Sequence, residues 1–360
     1  MNGLDYSAGL QQFDCEFDKL QTVNDVTDAC ADIRVTNADF QVTEELGFTL
    51  SGEGEHLWLL IEKDNLNTQD VVTILARQSG VKPRDIGFSG QKDRNAITRQ
   101  WISLPWTLVQ HKDIEGWLLP EDGTIRILDH LFHQRKLKIG SHKSNSFSIT
   151  LRNIKGDRQG YEARLASIKE NGVPAYFGPQ RFGRNGKNLS SAYRLFSGQW
   201  QPRKHQRNQK SMALSAARSW LFNQVLSRRV KLGNWNTAIE GDVLQMEGKG
   251  SFFSYSANDD SVGKRLADKD IHPSGPLWGK GELPSSGLAN ELEWAIAQDH
   301  PEIIAGLENS GLKQSRRALR QIPHEFSWQW IDELTLGVQF SLVRGQFATS
   351  VLREISNINN

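Results

Sequence analysis

The residues best suited to chemistry lie in one short segment, Gly87 to Trp101, which reads GFSGQKDRNAITRQW. A short apolar stretch leads into a tight turn, a polar cluster follows, and an apolar alternation then begins again. This pattern predicts a strand, a polar loop and a second strand. At the tip of the loop Asp93 lies between Lys92 and Arg94, and neighbouring positive charge favours the ionised form of a carboxyl group.

The carboxylate of Asp93 has two interpretations from this segment alone. An ionised carboxylate at the end of a strand can act as a nucleophile or as a general base. The same triplet of charged residues is also typical of a solvated turn, because loops are usually polar without being catalytic. The elements that position the loop, and the chemistry of the rest of the chain, decide between the two.

The elements before the loop indicate an α+β layer. Alternation around Phe40 predicts a strand that carries Glu44 on its apolar side, where a carboxylate needs a partner unless the strand simply ends there. A buried strand is predicted at residues 56–63. It is followed by a helix that Thr68 can cap and Gly80 can close.

The elements after the loop are predicted by the same patterns. Two alternating segments after residue 133 predict a hairpin-like pair of strands with a basic connection from Gly140 to Asn145. Phe147 in the second strand is typical of a core residue, and Asn145 suits either a turn or the reading of a base edge. Residues 272–287 are rich in Pro and Gly and predict a loop. Helices are predicted at residues 159–170, 211–230, 288–299 and 312–321.

Composition excludes several classes of protein. The chain has 360 residues, of which 38% are hydrophobic and 24% charged, and this balance is typical of a globular protein with room for two domains. No run of eighteen apolar residues predicts a membrane span, and the acidic N-terminus is not expected to be a secretory signal. Cys15 and Cys30 are the only cysteines, which fits a reducing cytoplasm. The nine histidines show no metal-ligand spacing, so we expect no metal.

The formal net charge of +1 conceals a strong asymmetry along the chain. Residues 1–70 hold fifteen Asp or Glu and three Lys or Arg, whereas residues 171–239 hold twelve Lys or Arg and no acid. Residues 131–155 add six cations and again no acid. Basic regions of this length are typical of a surface that binds a polyanion, although two oppositely charged surfaces that dock on each other would produce the same asymmetry.

One basic segment, Ala175 to Asn188, also has the composition of an RNA-binding surface. It reads AYFGPQRFGRNGKN and alternates aromatic residues, glycines and arginines. Bases stack on aromatic rings and guanidinium groups, and glycine lets a phosphate approach the backbone. Ordinary loops also have such sequences, so the segment favours RNA binding only together with the charge asymmetry.

Five segments in this order resemble the tRNA pseudouridine synthase D (TruD) family. The segments are Asp39-Phe40 with Val42 and Glu44, GFSGQKDRNAITRQW, the run from Gly140 to Phe147, YFGPQRFGRNGKN, and GQFATSVLRE. They cover the chain from about residue 33 to its end. Ala175 departs from the family pattern, which usually has Asn at that position.

The resemblance implies an α+β fold with two domains. The first is a pseudouridine synthase catalytic domain, with a mixed, mainly antiparallel sheet and flanking helices, over residues 1–169 and 321–360. The second is an inserted α/β domain, named TRUD, over residues 170–320. The disappearance of acidic residues near position 171 independently indicates a boundary there.

The resemblance also implies an activity, the isomerisation of uridine 13 in the D arm of tRNA to pseudouridine. This reaction needs no redox change and no group donor, so no cofactor is expected. We expect a cytoplasmic monomer with tRNA as its partner and no association with a membrane. The alternative is a non-catalytic RNA-binding or RNA-folding protein that retains the fold.

Site roles follow from the resemblance residue by residue. Asp93 matches the essential aspartate, which either attacks the base at C6 or acts at the ribose, and Arg34 and Glu44 are expected to form a salt-bridge or proton-relay neighbourhood around it. For Glu44 a structural pairing role is an equal alternative, and for Phe40 and Phe347 the alternative is core packing. The residues predicted to bind substrate are Phe40, Asn145, Phe147, Phe347, Arg34, Glu44 and Lys92. Those predicted to contact the RNA backbone are Lys136, Lys143, Arg181, Arg184 and Lys187.

Overall fold

The computed structural model describes residues 17–117, 124–256 and 259–359. Cys30 is a partly buried free thiol, and Cys15 lies outside the described residues. The chain divides into two compact units. The sheet unit comprises Thr27–Leu165, Pro323–Gly345 and Ser356–Asn360, and the helical unit comprises Met1–Val26, Ala166–Ile322 and Gln346–Ile355.

The described residues form an α+β protein. The strands are, in chain order, β1 (Cys30–Asp32), β2 (Phe40–Leu46), β3 (His56–Lys63), β4 (Gly87–Phe88), β5 (Ile97–Pro105), β6 (Ile125–His133), β7 (His142–Lys155), β8 (Val173–Pro174), β9 (Val243–Met246), β10 (Phe252–Ser254), β11 (Ile271–Leu277), β12 (Ser315–Ala318), β13 (Arg320–Gln321), β14 (His324–Asp332), β15 (Thr335–Val343) and β16 (Asn357–Asn359). The helices are α1 (Thr68–Ser79), α2 (Arg158–Asn171), α3 (Lys187–Phe196), α4 (Arg207–Lys231), α5 (Ser261–Ala267), α6 (Gly287–Gln298), α7 (Pro301–Asn309) and α8 (Ala348–Leu352). No helix among the described residues is long and apolar enough to cross a membrane.

The sheet unit is built on one large sheet with the strand order β14-β15-β7-β2-β5-β3-β6. β4 pairs with β5, and β1 pairs with β7 and β16. The pairs β2–β5 and β1–β16 are parallel, and the other pairs are antiparallel. The mixed, mainly antiparallel sheet that the resemblance implied is therefore confirmed.

Helix α1 covers one part of this sheet through a local sequence signal. Its N-cap is Asn67, whose side chain accepts from the N–H of Asp70 while the Asp70 carboxylate accepts from the N–H of Asn67. The prediction that Thr68 caps the helix is wrong by one residue, because Thr68 is already helical. Gly80 closes the helix with a φ of 75°, a left-handed conformation that glycine adopts without steric cost.

The hairpin predicted after residue 133 is wrong in its first strand. β6 ends at His133 and pairs with β3, whereas β7 begins at His142 and pairs with β2 and β15. Leu137 and Ile139 alternate with lysines, which imitates a strand, but they lie in the connection and Ile139 is 81% exposed. The alternation there is incidental, since no neighbouring strand pairs with these residues.

The helical unit packs its helices around α4. Ala213, Ala217 and Phe222 of α4 are fully buried, in one apolar cluster with residues of α3 and α7. A separate antiparallel sheet in this unit has the strand order β10-β9-β11-β12. The helices predicted at 159–170, 211–230 and 288–299 are confirmed as α2, α4 and α6.

Two predictions for the helical unit are wrong. Residues 312–321 form strands β12 and β13 instead of a helix, because Ser315–Ala318 pairs with β11 and Arg320–Gln321 pairs with β8. Residues 271–277 form strand β11 in the middle of the small sheet, although the segment 272–287 is rich in Pro and Gly. In both places pairing with distant strands overrides the local propensity.

A buried carboxylate ties the N-terminal and C-terminal segments of the helical unit together. Oε2 of Glu354 accepts from the backbone N–H groups of Val23 and Asn24, at 2.9 and 3.0 Å. Its other oxygen is buried and has no hydrogen-bond partner. Burial raises the pKa of the Glu354 carboxyl to about 7, against the opposing effects of the two N–H groups and Arg353.

The raised pKa makes the stability of the helical unit depend on pH. Between pH 4.5 and 7 folded Glu354 keeps a proton that the unfolded chain releases, so the free energy of unfolding falls as the pH rises through this window, by an amount on the order of 3 kcal/mol. Glu354→Gln removes the titration and keeps an acceptor for both N–H groups. We expect the Tm of the variant minus the Tm of the wild type to increase by several degrees from pH 5 to pH 8. Calorimetry at a series of pH values measures this difference. Glu291→Gln on the exposed face of α6 is the control and should show no such trend. A pH-independent difference for Glu354→Gln would contradict the prediction.

Candidate active site

The parallel pair β2–β5 brings Arg34 and Asp93 to the same end of the sheet. Gln41 of β2 lies opposite Ile97 of β5, and the two strands run in the same direction. The residues that precede each strand therefore arrive side by side. A terminal nitrogen of Arg34 donates to Oδ2 of Asp93 at 2.9 Å, and the Asp93 side chain remains 39% exposed.

Arg34 is held in an unusual conformation. Its φ is 57°, in the left-handed region that costs a residue with a side chain free energy and that occurs often at functional sites. Its guanidinium carbon lies 4.2 Å from the centre of the Phe40 ring, within the range of a cation–π interaction. The ring and the carboxylate together fix where the guanidinium points.

The loop that carries Asp93 is pinned through its backbone. The N–H of Lys92 donates to Oγ1 of Thr68 at 2.9 Å, and Thr68 donates in turn to Gln100 of β5. The Gln100 amide also donates to the carbonyl of Gly90, at 3.2 Å. These contacts hold the backbone that leads into the catalytic candidate Asp93, which restricts the direction of its side chain.

Lys63 provides another contact, one that the sequence did not predict. The side chain lies at the end of β3, is almost fully buried, and donates from Nζ to the backbone carbonyl of Asp93 at 2.5 Å. Burial lowers the pKa of Lys63 to about 8, although the charge on Asp93 opposes this shift. A lysine at the end of an apolar strand is usually a solvated residue, so no local signal distinguished Lys63.

Glu44, Lys92 and Asn145 form a second buried polar cluster. Glu44 of β2 lies directly opposite Asn145 of β7 in the register, and Nζ of Lys92 donates to both, at 2.9 and 2.8 Å. Ser89 also donates to Glu44. The Glu44 carboxylate thus has the partner that its position on the apolar side of the strand demanded, and the cation next to Asp93 in sequence is engaged with another acid.

Asn145 keeps part of its hydrogen-bonding capacity. Its carbonyl oxygen accepts from Lys92, and its amide nitrogen lies 3.4 Å from Nε2 of His142. A carboxamide has two lone pairs and two N–H groups. One acceptor position and one donor position therefore remain, which is the pair that reading the edge of a uracil requires.

Three phenylalanines form a ladder across β2, β7 and β15. The rings of Phe40 and Phe147 meet edge to face at 6.2 Å, and Phe147 stacks on Phe340 at 5.3 Å with an angle of 23° between the rings. Phe40 and Phe340 are buried, whereas Phe147 is half-buried. Phe147 is therefore the phenylalanine of the ladder whose ring is accessible to a ligand. The sequence analysis did not identify Phe340 as part of this group.

Phe347 belongs to the helical unit, whereas the other predicted substrate residues belong to the sheet unit. Its ring lies 5.7 Å from the ring of Phe177. The guanidinium carbons of Arg181 and Arg317 lie 5.8 and 5.7 Å from its centre. The structure thus gives Phe347 neighbours that come from its own unit.

The residues predicted to contact the RNA backbone lie in different environments. Lys143, Arg184 and Lys187 are exposed. Lys136 is half-buried and donates to the carbonyl of Arg84 at 3.0 Å. Arg181 is also half-buried and packs against aromatic rings, and burial lowers its pKa.

A hollow of about 440 Å³ opens on the sheet unit. It is lined by Gln41, Thr43, Arg99, Ser146, Phe147, Ser148, Glu325, Ser327, Gln339 and Phe340. Asp93, Arg34 and Phe40 do not line it, so the hollow is distinct from the cluster around the catalytic candidate. Phe147 and Phe340 of the phenylalanine ladder are among its lining residues.

The buried Glu44–Lys92 pair predicts a strong effect on stability. The side chains are 0% and 7% exposed, and removal of one member of such a pair leaves an uncompensated buried charge at a cost of about 3–5 kcal/mol. We expect Lys92→Met to lower the free energy of unfolding by that amount in urea titrations. The double variant Lys92→Met/Glu44→Gln should recover a large part of it, since no charge is then left alone. Arg94→Met, at the exposed neighbouring residue, is the control, and a loss for Lys92→Met as small as the control's would refute the prediction.

Comparison with known proteins identifies the family. The family model described as tRNA pseudouridine synthase D (TruD) matches residues 19–200 and 202–355. A protein of Hydrogenovibrio crunogenus named tRNA pseudouridine synthase D is 46% identical over 326 residues, which cover 91% of this chain and 92% of that protein. A protein of the same name from Methylococcus capsulatus is 43% identical over 344 residues, 95% of this chain and 96% of the relative.

The fold agrees with a solved structure. The crystal structure of a Methanosarcina mazei protein assigned to tRNA pseudouridine synthase D superposes with a TM-score of 0.72 at 20% identity, over 93% of this chain and 95% of that one. At this identity the likeness shows the fold. The family match, which spans nearly the whole chain, and the relatives at more than 40% identity show more: this chain belongs to the tRNA pseudouridine synthase D (TruD) family.

Proposed function

We propose that this protein converts uridine 13 in the D arm of tRNA to pseudouridine, with Asp93 as the essential residue and without a cofactor. The single observation that carries the proposal is the exposure of the Asp93 side chain together with its contacts. Its carboxylate is accessible, paired with Arg34 at 2.9 Å, and carried by a loop whose backbone is held by hydrogen bonds at Lys92 and Asp93. The names of the relatives, tRNA pseudouridine synthase D, support the reaction class and the substrate class.

The reaction requires one accessible carboxylate and a substrate base outside its helix. The N1–C1′ bond of uridine breaks, the base rotates, and a C5–C1′ bond forms. The proton on C5 leaves to solvent and N1 takes up a proton, so the overall reaction is an isomerisation. The Asp93 carboxylate either adds to C6 of the base or acts at the ribose, by taking a C2′ proton or by trapping C1′. Either route needs the uridine to be flipped out of its stack to reach the carboxylate.

The other sheet-unit residues take supporting roles in this proposal. Arg34 orients the Asp93 carboxylate through the 2.9 Å contact with Oδ2. The half-buried ring of Phe147 offers a surface for the flipped base, and the free donor and acceptor of Asn145 read its edge. Glu44 and Lys92 act by positioning, since both are buried and engaged with each other.

The domain and partner assignments complete the proposal. We assign the sheet unit to the catalytic domain, predicted at residues 1–169 and 321–360, and the helical unit to the inserted domain predicted at 170–320. The helical unit also contains residues 1–26 and 346–355, which the prediction placed in the catalytic domain. The exposed Lys143, Arg184 and Lys187 contact the phosphates of tRNA, which makes binding strongly dependent on salt. We further propose that the enzyme works as a cytoplasmic monomer.

The essential role of Asp93 predicts a separation of catalysis from binding. Asp93→Asn should reduce the release of tritium from a tRNA transcript labelled at uridine C5 to background, because the amide is neither a nucleophile nor a base. Its Kd for the transcript, measured by filter binding, should change less than threefold. Asp85→Asn is a matched control, since Asp85 lies nearby in sequence, is 36% exposed and also faces an arginine, Arg84, at 3.8 Å. Normal release by Asp93→Asn would show that Asp93 is not essential, whereas binding without release by the wild type would favour the non-catalytic RNA-binding alternative.

The choice of uridine 13 predicts a single substrate position. A transcript with cytidine in place of uridine 13 should release no label, whereas replacement of another D-arm uridine should leave the rate of release within twofold of the unchanged transcript. Release from the cytidine-13 transcript at the normal rate would show that the enzyme modifies a different position.

A further inference from the structure

Two arginines of the helical unit pack against the same pair of aromatic rings. The guanidinium carbon of Arg317 lies 4.4 Å from the centre of Phe177 and 5.7 Å from that of Phe347. For Arg181 the corresponding distances are 5.2 and 5.8 Å. Two positive groups thus share one small aromatic surface.

No carboxylate compensates these charges within the described part of the chain. Neither Arg181 nor Arg317 has an Asp or Glu oxygen within 4.0 Å. Arg181 donates to Oγ of Ser215 at 3.1 Å, and Arg317 donates to the carbonyl of Ala175 at 3.4 Å. Nε of Arg317 is buried and has no hydrogen-bond partner.

Other buried arginines of the helical unit show the contrast. Arg229 is paired with Asp242 and Arg316 with Glu293, in each case through two nitrogen–oxygen contacts of 2.7–3.0 Å. Buried charges are normally paired in this way, because the loss of hydration is otherwise uncompensated. Arg218 and Arg320 also have no carboxylate partner among the described residues, but each donates to two backbone carbonyls. Arg181 and Arg317 differ from them because two such charges pack against the same pair of rings.

The pKa values of both arginines are lowered. Burial, with the charge on Arg181 as the smaller cause, lowers the pKa of Arg317 to about 10, and burial lowers the pKa of Arg181 as well. Arginine stays protonated at neutral pH in spite of such shifts. An anion between the two guanidinium groups would remove the repulsion and supply the missing acceptors.

Buried amides hold the aromatic surface in place. Asn223 of α4 accepts from the N–H of Phe177 and donates to its carbonyl, both at 2.9 Å. Gln321 of β13 makes the same two contacts with the backbone of Phe347, at 3.3 and 2.9 Å. Both amide residues are almost completely buried. The surface against which the arginines pack is therefore fixed before any ligand arrives.

We propose that Arg181 and Arg317 bind one phosphate group of the substrate RNA beside the ring of Phe347. The planar guanidinium group matches a phosphate through paired N–H donors, and a phosphodiester carries the negative charge that the site lacks. The inference rests on the proposed function in one respect, because it takes tRNA as the source of the phosphate. The assignment to RNA rather than to a free phosphate agrees with the acid-free segment 171–239 that contains Arg181.

The test compares arginines that differ in their partners. Arg181→Gln and Arg317→Gln should each weaken binding of an unmodified tRNA transcript by about tenfold, and each should reduce the slope of log K against log salt by about one. The matched control is Arg265→Gln, because Arg265 also lies over an aromatic ring, Phe253 at 5.5 Å, but is paired with Asp270 at 2.7 Å. The control should change the affinity less than twofold. Equal losses for all three variants would show general attraction to a basic surface and would overturn the proposal.

Two further measurements separate the remaining explanations. A purely structural role of Arg317 would lower the Tm of Arg317→Gln and leave the tRNA affinity of the folded protein unchanged, which would overturn the proposal. If Arg317→Gln does not fold, Arg181→Gln decides alone, and wild-type affinity in that variant is the contrary result. Titration with inorganic phosphate forms the second arm: a wild-type Tm that rises with phosphate and no longer does so in Arg181→Gln, without any change in tRNA affinity, would assign the site to a free phosphate instead.

The binding assay also keeps this inference separate from the proposed reaction. Affinity and salt dependence do not require turnover, so they report on the arginine pair even if the wild type releases no tritium. Absence of tritium release would contradict the isomerase proposal, whereas unchanged affinity in both arginine variants would contradict the phosphate site.

Discussion

The parallel pairing of β2 with β5 is the constraint on which the candidate active site depends. In a sheet whose other long pairs are antiparallel, this pair brings two chain segments that precede strands to the same end of the sheet. Arg34 and Asp93 are 59 residues apart in the chain, yet their side chains meet at 2.9 Å. A shift of the register by one residue would turn Phe40 and Glu44 to the opposite face and remove the aromatic and acidic partners of both segments.

Burial of polar groups around the loop fixes its shape at a cost in stability. Glu44, Lys63 and Lys92 are buried charged side chains, and apolar residues of the same volume would stabilise the fold at least as well. Their hydrogen bonds instead hold the loop backbone and its neighbours at defined positions. These side chains lower the stability of the fold relative to apolar residues, but they fix the position of the loop. Catalysis requires such fixed positions of the reacting groups.

The sequence predicts the local part of this structure well and the non-local part poorly. β3 runs over the predicted residues 56–63, and the strand–loop–strand pattern around Asp93 appears as β4, a polar loop and β5, because periodicity and turn residues act over short distances. The contacts of Lys63 with the Asp93 backbone and of Phe340 with Phe147 depend on strand order, which no local pattern contains. Strand pairing also explains the wrong helix prediction at residues 312–321. This segment is extended because it pairs with β11 and β8.

The charged side chains in the interior of this protein differ in whether they have a partner of opposite charge. Glu44 with Lys92, Arg229 with Asp242 and Arg316 with Glu293 are ion pairs formed within the chain. Arg181 and Arg317 are half-buried against one aromatic surface, and no acid of the described residues lies within 4.0 Å of either. A folded chain gains nothing from two uncompensated like charges at one place, so their persistence points to an anion that arrives from outside. The proposed phosphate site would connect the charge asymmetry of the chain to this pair of side chains.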